Sequence, residues 1–106
     1  MFARKITMQL KPYACADFTR TMENEILPLL SKQKGFVDEL CFRLPGGTEV
    51  FAISLWEKKE DAEYYNREVY PKVFSFFEKW IEKPPTVESY EVLNSTFHKY
   101  FARLAA

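Results

Sequence analysis

Residues 49–56 constrain the fold more than any other part of the sequence, because they are apolar on both faces of a strand. Alternate positions form two apolar sets, Val50, Ala52 and Trp56 (with Ser54) against Phe51, Ile53 and Leu55. A strand with two apolar faces is central in its sheet, and other structure must cover each face. The sequence therefore predicts that this strand has neighbours on both sides.

The flanking segments alternate between the period of a strand and the period of a helix. The strand period recurs in three segments, at residues 2–10, 36–44 and 86–93. The run Pro45-Gly46-Gly47-Thr48 predicts a hairpin turn between the second strand and the third. Amphipathic helical spacing covers two longer segments, at residues 14–34 and 58–82.

Each helical segment contains a proline, which lacks an amide hydrogen and crowds the preceding turn. We expect Pro28 to kink the first helix and Pro71 to divide the second segment into two consecutive helices. The element order is then β-α-β-β-α-β, a ferredoxin-like α+β fold whose helices cover one face of a four-stranded antiparallel sheet. Residues 1–94 form this domain, and residues 95–106 form an apolar C-terminal tail that packs on the domain or on a partner subunit.

The helices of such a fold leave the second face of the sheet uncovered. An exposed apolar patch of several hundred Å² forgoes on the order of 10 kcal/mol per chain, at about 25 cal/mol per Å². A second copy packed sheet to sheet covers this patch and gives a two-fold symmetric α/β barrel. The sequence therefore predicts an obligate homodimer.

The composition disfavours nucleic acid, membranes and metal ions as partners. Fifteen basic residues match fifteen acidic ones, which disfavours binding to nucleic acid or to an anionic membrane surface. No apolar run approaches the length of a membrane span, and we expect a cytoplasmic protein. The two cysteines form no paired motif, and the single histidine, His98, has no second imidazole, so no metal site is expected.

Two parts of the sequence resemble a known family. Residues 26–36, and Trp56-Glu57 followed by Ala62, Tyr65 and Pro71, are similar to the antibiotic-biosynthesis-monooxygenase-like family of the dimeric α/β-barrel superfamily. The resemblance covers roughly residues 1–94 and implies the same fold and dimer. That family includes cofactor-independent quinone-forming oxygenases, haem-degrading enzymes and many proteins with no known reaction.

The resemblance also bears on individual residues. It implies that Trp56 is a pocket residue, because the family often has a tryptophan at the end of the third strand. Haem-degrading members use an asparagine on the first strand and a histidine on the second helix. Here the first strand carries Thr7, Met8 and Gln9, and no histidine lies between Glu57 and Glu82, which disfavours haem chemistry.

The aromatic residues are the remaining indication of a site. The side chains expected between the helices and the sheet are Phe18, Met22, Trp56, Tyr65, Phe77 and Trp80. Polar groups among them come from Trp56, Tyr65, Asn66 and Ser54. Two interpretations stand: the rings fill the core, or they line a pocket for a planar phenol.

With the resemblance, the second interpretation predicts a cofactor-independent monooxygenase acting on a small phenol- or quinol-like molecule. Trp56 and Tyr65 are then the catalytic residues that hold the phenolate oxygen, and Asn66 or Arg67 assists if it faces inward. The predicted substrate pocket comprises Phe18, Met22, Ser54, Asn66 and Phe77. The alternative is a non-catalytic homodimer that binds a small molecule or another protein.

Overall fold

The predicted order of strands and helices is present in the computed structural model, which describes residues 1–96. Four strands form one antiparallel sheet in the order β2-β3-β1-β4, with β1 at Phe2–Gln9, β2 at Phe36–Arg43, β3 at Glu49–Trp56 and β4 at Thr86–Glu91. The third strand is central, as its two apolar faces predict. The α+β, ferredoxin-like fold class is thereby confirmed. His98 and most of the predicted tail lie outside the described residues.

Each helical segment between strands contains one wide turn. The first segment consists of α1 (Cys15–Thr21), a π-helical turn (Met22–Ile26) and α2 (Leu27–Ser31). The second consists of α3 (Lys59–Tyr64), a π-helical turn (Tyr65–Val69) and α4 (Tyr70–Phe77), followed by a 3₁₀ turn (Glu78–Trp80). No helix among residues 1–96 is both long enough and apolar enough to cross a membrane.

The two wide turns have a common cause in the prolines. The amide of Leu27 donates to the Met22 carbonyl and the amide of Tyr70 donates to the Tyr65 carbonyl, each spanning five residues. The next residue in each case is a proline, Pro28 or Pro71, whose ring would crowd the carbonyl of a regular α-turn. The second segment does contain two consecutive α-helices, the second beginning beside Pro71, but a π turn rather than a break joins them.

The sheet has one buried face and one half-exposed face. On the buried face, the β3 side chains of Val50, Ala52, Ser54 and Trp56 lie against the helical segments. The opposite face, which we call the open face, consists mainly of Leu40, Phe42, Phe51, Ile53, Leu55 and Tyr90. Leu40 and Phe42 are 54% and 40% exposed, so the described part of the chain leaves this apolar surface uncovered.

Gly35 precedes β2 in a conformation that disfavours other residues. Its φ is +78°, and a Cβ there would overlap the carboxyl of Asp61 at the start of the second helical segment. Gly46, in the hairpin turn, also has a φ of +78°, but a Cβ at that position would have no atom within 4 Å. An alanine at Gly46 would therefore introduce backbone strain alone, whereas an alanine at Gly35 would introduce both backbone strain and steric overlap.

We expect Gly35→Ala to lower the free energy of unfolding by about 2 kcal/mol, and Gly46→Ala by about 1 kcal/mol. Chemical denaturation followed by circular dichroism measures both. Adding Asp61→Ala to Gly35→Ala should recover part of the difference between them, because it removes the Asp61 carboxyl and leaves only its Cβ at 2.8 Å from the new methyl group. Equal losses in the two single variants would contradict the overlap with Asp61.

Candidate functional site

A small cavity lies between the buried face of the sheet and the two helical segments. Its volume is about 30 Å³, room for about two water molecules. Its polar lining comprises Arg4, Glu39, Ser54, Tyr65 and Tyr70, and its other walls are apolar. Both π turns supply part of the wall, through Met22, Ile26 and Tyr65. The wide turns forced by the prolines thus shape the cavity.

Arg4 is the cation of this cavity. It lies on β1, is 4% exposed, and its Nε donates a hydrogen bond to Oδ1 of Asn66 at 3.0 Å. Its guanidinium carbon is 4.3 Å from the ring centre of Tyr70 and 5.3 Å from that of Tyr65. Burial lowers the pKa of Arg4, although an arginine remains cationic at neutral pH. Its Nη2 is buried and has no hydrogen-bond partner, so a polar ligand group there would satisfy it.

Glu39 is the carboxyl group of the cavity. The register places it opposite Ser54 on the buried face, whereas Asp38 lies on the other face opposite Leu55. Burial raises the pKa of Glu39 to about 7, and the negative charge of Asp38 contributes to the rise. The positive charge of Arg4 lowers the same pKa, but by less. A carboxyl group with this pKa exchanges a proton readily at neutral pH, as a general acid or base must.

A larger cleft adjoins the cavity, between the first helical segment and β2. Its volume is about 350 Å³, within the range of pockets that bind small organic molecules. Phe18, Thr19, Leu27 and Val50 are among its lining residues, and Met22 and Glu39 line both the cleft and the cavity. The cleft has room for an aromatic ring, and the cavity has room only for a substituent.

The structure brings most of the predicted site residues to these two spaces. Met22, Ser54, Tyr65 and Phe77 line the cavity, and Phe18 lines the cleft. Burial raises the pKa of Tyr65, so its phenol group keeps its proton and can donate a hydrogen bond.

Other predicted residues lie near the site without lining it. Trp56 is fully buried, its ring is 5.1 Å from that of Tyr65, and its Nε1 donates to Oγ of Ser54 at 2.9 Å. Asn66 contacts the cavity only through Arg4. Arg67 faces away and pairs with Glu68 on the surface. Trp80 packs against the core and lines neither space.

Three polar lining residues were not predicted from the sequence: Arg4, Glu39 and Tyr70. Arg4 had a visible signal, because it is the one charged residue in an otherwise apolar row of β1. The signal for Glu39 was weaker. On β2 it lies on the face opposite to the apolar Leu40 and Phe42, as a solvent-exposed residue also would. The fact that Arg4 and Glu39 line one cavity depends on tertiary structure, which sequence spacing does not show.

The haem-ligand pattern that the resemblance raised is absent from the described residues. Residues 1–96 contain no histidine that could ligate iron, and the second helical segment faces the cavity with Tyr65, Tyr70, Val73 and Phe77. Within the same range, no group of three or more histidine, cysteine, aspartate or glutamate side chains is arranged to hold a metal ion.

These features define a class, a ferredoxin-like α+β protein with a partly polar cavity between its helices and its sheet. No protein-family model and no curated protein matches the sequence. Solved structures do share the fold, and several are provisionally described as antibiotic biosynthesis monooxygenases. The structural neighbours thus include the monooxygenase-like proteins that the sequence resemblance predicted.

Three of these structures illustrate the range of proteins with this fold. A protein of unknown function from Nitrosomonas europaea has a TM-score of 0.75 and 15% identity, covering 91% of this chain and 92% of that one. The haem-degrading protein MhuD of Mycobacterium tuberculosis, with two haems in its active site, has a TM-score of 0.74 and 10% identity, covering 91% and 99%. A monooxygenase from the gene ActVA-Orf6 of Streptomyces coelicolor, in complex with nanaomycin D, has a TM-score of 0.70 and 15% identity, covering 91% and 90%. At these identities the likeness establishes the fold alone.

Proposed function

We propose that the protein is a cofactor-independent monooxygenase that oxidises a small phenol- or quinol-like molecule. The observation that carries the proposal is that a buried cation, Arg4, and a proton-exchanging carboxyl, Glu39, line one small cavity, which meets a ring-sized cleft at Glu39. The fold shared with a monooxygenase in complex with nanaomycin D adds support. In this proposal the protein acts in the cytoplasm, without a metal, a nucleic acid or a membrane.

The proposed reaction begins with the ring in the cleft and the phenol oxygen toward Arg4. The Glu39 carboxylate takes the phenol proton, and the guanidinium stabilises the phenolate, which is a far better electron donor than the phenol. The phenolate passes one electron to O₂, and the resulting radical and superoxide combine at a ring carbon that bears hydrogen. Glu39 returns its proton to the peroxide. Breakage of the O–O and C–H bonds then releases water and leaves a quinone, so the electrons lost by the ring are those gained by O₂.

The predicted catalytic residues have specific roles in this proposal. Tyr65 lines the cavity and donates its phenol hydrogen to the substrate oxygen. Trp56 acts through Ser54, because its Nε1 holds the serine hydroxyl that lines the same cavity. Asn66 positions the guanidinium of Arg4 by accepting its Nε hydrogen bond.

Oxygen uptake with 1-naphthol and with hydroquinone tests the reaction, and isotopically labelled O₂ shows whether oxygen enters the quinone. We expect Tyr65→Phe to lower kcat/KM about 10- to 100-fold, because one hydrogen bond to the developing phenolate is lost. Tyr64→Phe is the matched control, since the neighbouring tyrosine is exposed on the surface. Trp56→Phe should lower the rate less than Tyr65→Phe. An unchanged rate in Tyr65→Phe would remove this residue from the mechanism, and no labelled product from any phenol would favour the non-catalytic binding protein.

We further propose that two copies of the chain pack open face to open face as a two-fold symmetric barrel. Several features of the open face support a second copy as its cover. Phe42 and Phe51 stack there with ring centres 4.8 Å apart, and the Lys5 ammonium lies 4.9 Å from the Phe51 ring centre. Lys5 and Glu88 are opposite each other across β1 and β4, so a two-fold axis can bring unlike charges together.

Sedimentation at low micromolar concentration should therefore give a dimer. Leu40→Glu should shift the dimer to a monomer. The substitution would bury an unpaired carboxylate in the centre of an apolar interface, which costs on the order of several kcal/mol of association free energy. Tyr64→Glu is the control, since Tyr64 is 55% exposed, as Leu40 is at 54%, but lies on a helix. A wild-type monomer, or a dimer unchanged by Leu40→Glu, would contradict the proposed interface.

A further inference from the structure

The polar end of the cavity contains groups whose hydrogen-bonding capacity the protein leaves unused. Arg4 is buried, its Nε is held by Asn66, and its Nη2 has no partner. Glu39 lines the same cavity from β2. No ion pair within 4.0 Å joins the two, since the ion pairs among residues 1–96 are all on the surface. The cation and the carboxyl therefore face one space without neutralising each other.

We propose that this space binds the carboxylate of an aromatic acid, with one oxygen on Arg4 and the other on a protonated Glu39, so that binding takes up a proton. The inference rests on the proposed function to the extent that the aromatic ring occupies the same cleft. It extends the ligand class from phenols to aromatic carboxylates, which bind whether or not they are oxidised.

The geometry favours a carboxylate over a single oxygen. The cavity holds about two water-sized groups, and a carboxylate presents two oxygens. The Nη2 group has two N–H donors, and a hydrogen bond from a cation to a carboxylate oxygen is stronger than one between neutral groups. Arg4 and Glu39 line one cavity without forming an ion pair within 4.0 Å, so a ligand group with two oxygens can place one oxygen on each residue.

The protonation of Glu39 follows from its surroundings. The charged and titratable groups that face it, or act on it from its own strand, are Arg4, Tyr65, Tyr70, Cys15, Glu23, Asp38, Cys41 and Arg43. Burial and Asp38 already raise the pKa of Glu39 to about 7, against the opposing effect of Arg4. A bound carboxylate adds a second negative charge beside it and raises this pKa further. Above neutral pH, Glu39 is therefore ionised in the free protein and protonated in the complex.

Isothermal titration calorimetry with benzoate tests the proposal, because benzoate has no hydroxyl group to oxidise. Titrations in buffers of different ionisation enthalpy give the number of protons taken up. At about pH 8 we expect close to one proton per benzoate bound, and a Kd that rises up to about tenfold per pH unit above neutrality. Benzyl alcohol is the uncharged probe for the cleft, and its binding should show neither effect.

Two variants separate the contributions of the two residues. Glu39→Gln should bind benzoate without proton uptake and with a Kd independent of pH, because the amide donates without titrating. Arg4→Met should lose benzoate binding and keep benzyl alcohol binding, which also shows that the variant is folded.

The proposal is overturned if benzoate does not bind to the wild-type protein, binds without proton uptake, or shows equal uptake in Glu39→Gln. These outcomes are distinct from those of the oxygen-uptake assay. Labelled quinone without benzoate binding would leave the monooxygenase proposal intact and remove this one. Proton-coupled benzoate binding without oxygen uptake would do the reverse.

Discussion

Arg4→Met should lower kcat/KM for phenol oxidation by about 10²- to 10³-fold, a loss typical of removing one preorganised electrostatic group from an active site. The reason is the position of the guanidinium, which belongs to a buried side chain lining the cavity, is held by Asn66 and has an Nη2 without a hydrogen-bond partner. Steady-state oxygen uptake over a range of 1-naphthol concentrations measures the effect. Most of the loss should appear in kcat, because the phenolate charge develops only as the reaction proceeds.

The same substitution should leave the fold intact. Methionine fills much of the volume of the arginine side chain. It also removes a buried charge that has no ion-pair partner. We therefore expect the free energy of unfolding to change by less than about 1 kcal/mol. Arg67→Met is the control, because Arg67 lies on the surface beside Glu68. Full activity in Arg4→Met would show that the cavity cation has no part in the reaction.

Glu39→Gln should have the second large effect, lowering kcat/KM by about 10²- to 10⁴-fold through loss of the general base. In the wild-type protein, kcat/KM should rise with pH up to about 7, the pKa to which burial raises Glu39, and then level off. The variant should lack this rise. Glu25→Gln, which changes an exposed carboxyl of the first helical segment, is the matched control.

The pKa of Glu39 also predicts a pH dependence of stability. It rises from 4.5 to about 7 on folding, so the folded protein binds this proton more tightly than the unfolded chain does. The stability that Glu39 contributes is complete below its unfolded pKa and is lost as the pH rises through its folded pKa. The loss amounts to about 3 kcal/mol, and Glu39→Gln should recover it at about pH 8. Denaturation at acid and alkaline pH tests this, and an equal effect of the substitution at both would contradict the assigned pKa.

The fold was accessible from sequence because its signals are local. The two apolar sets of β3 identified the central strand, and the run from Pro45 to Thr48 identified the hairpin, since each depends on residues close together in the chain. The π turns of the helical segments could not be predicted from such local signals. Pro28 and Pro71 indicated an interruption, but periodicity alone does not distinguish a broken helix from a π turn.

The site was accessible only in part, for the same reason. Tyr65, Met22 and Phe77 followed from helical spacing toward the sheet, and the structure places all three on the cavity wall. Arg4 did not, because what makes it a candidate is its bond to Asn66, which is 62 residues away in the sequence. Electrostatic pairs across distant elements are properties of the folded chain, and a single sequence carries no direct signal for them.

The two π turns also suggest how the ligand preference of this pocket could change between related proteins. A π turn holds one residue more than the α-turn it replaces, so it offsets everything that follows along the helix by about 100°. A single-residue deletion there, combined with replacement of the following proline, would present a different set of side chains, beginning at Leu27 or Tyr70, to the same space, while the strands and the preceding helix kept their register. Insertion and deletion at these two points are therefore a route by which one scaffold acquires new ligand preferences without rebuilding its core.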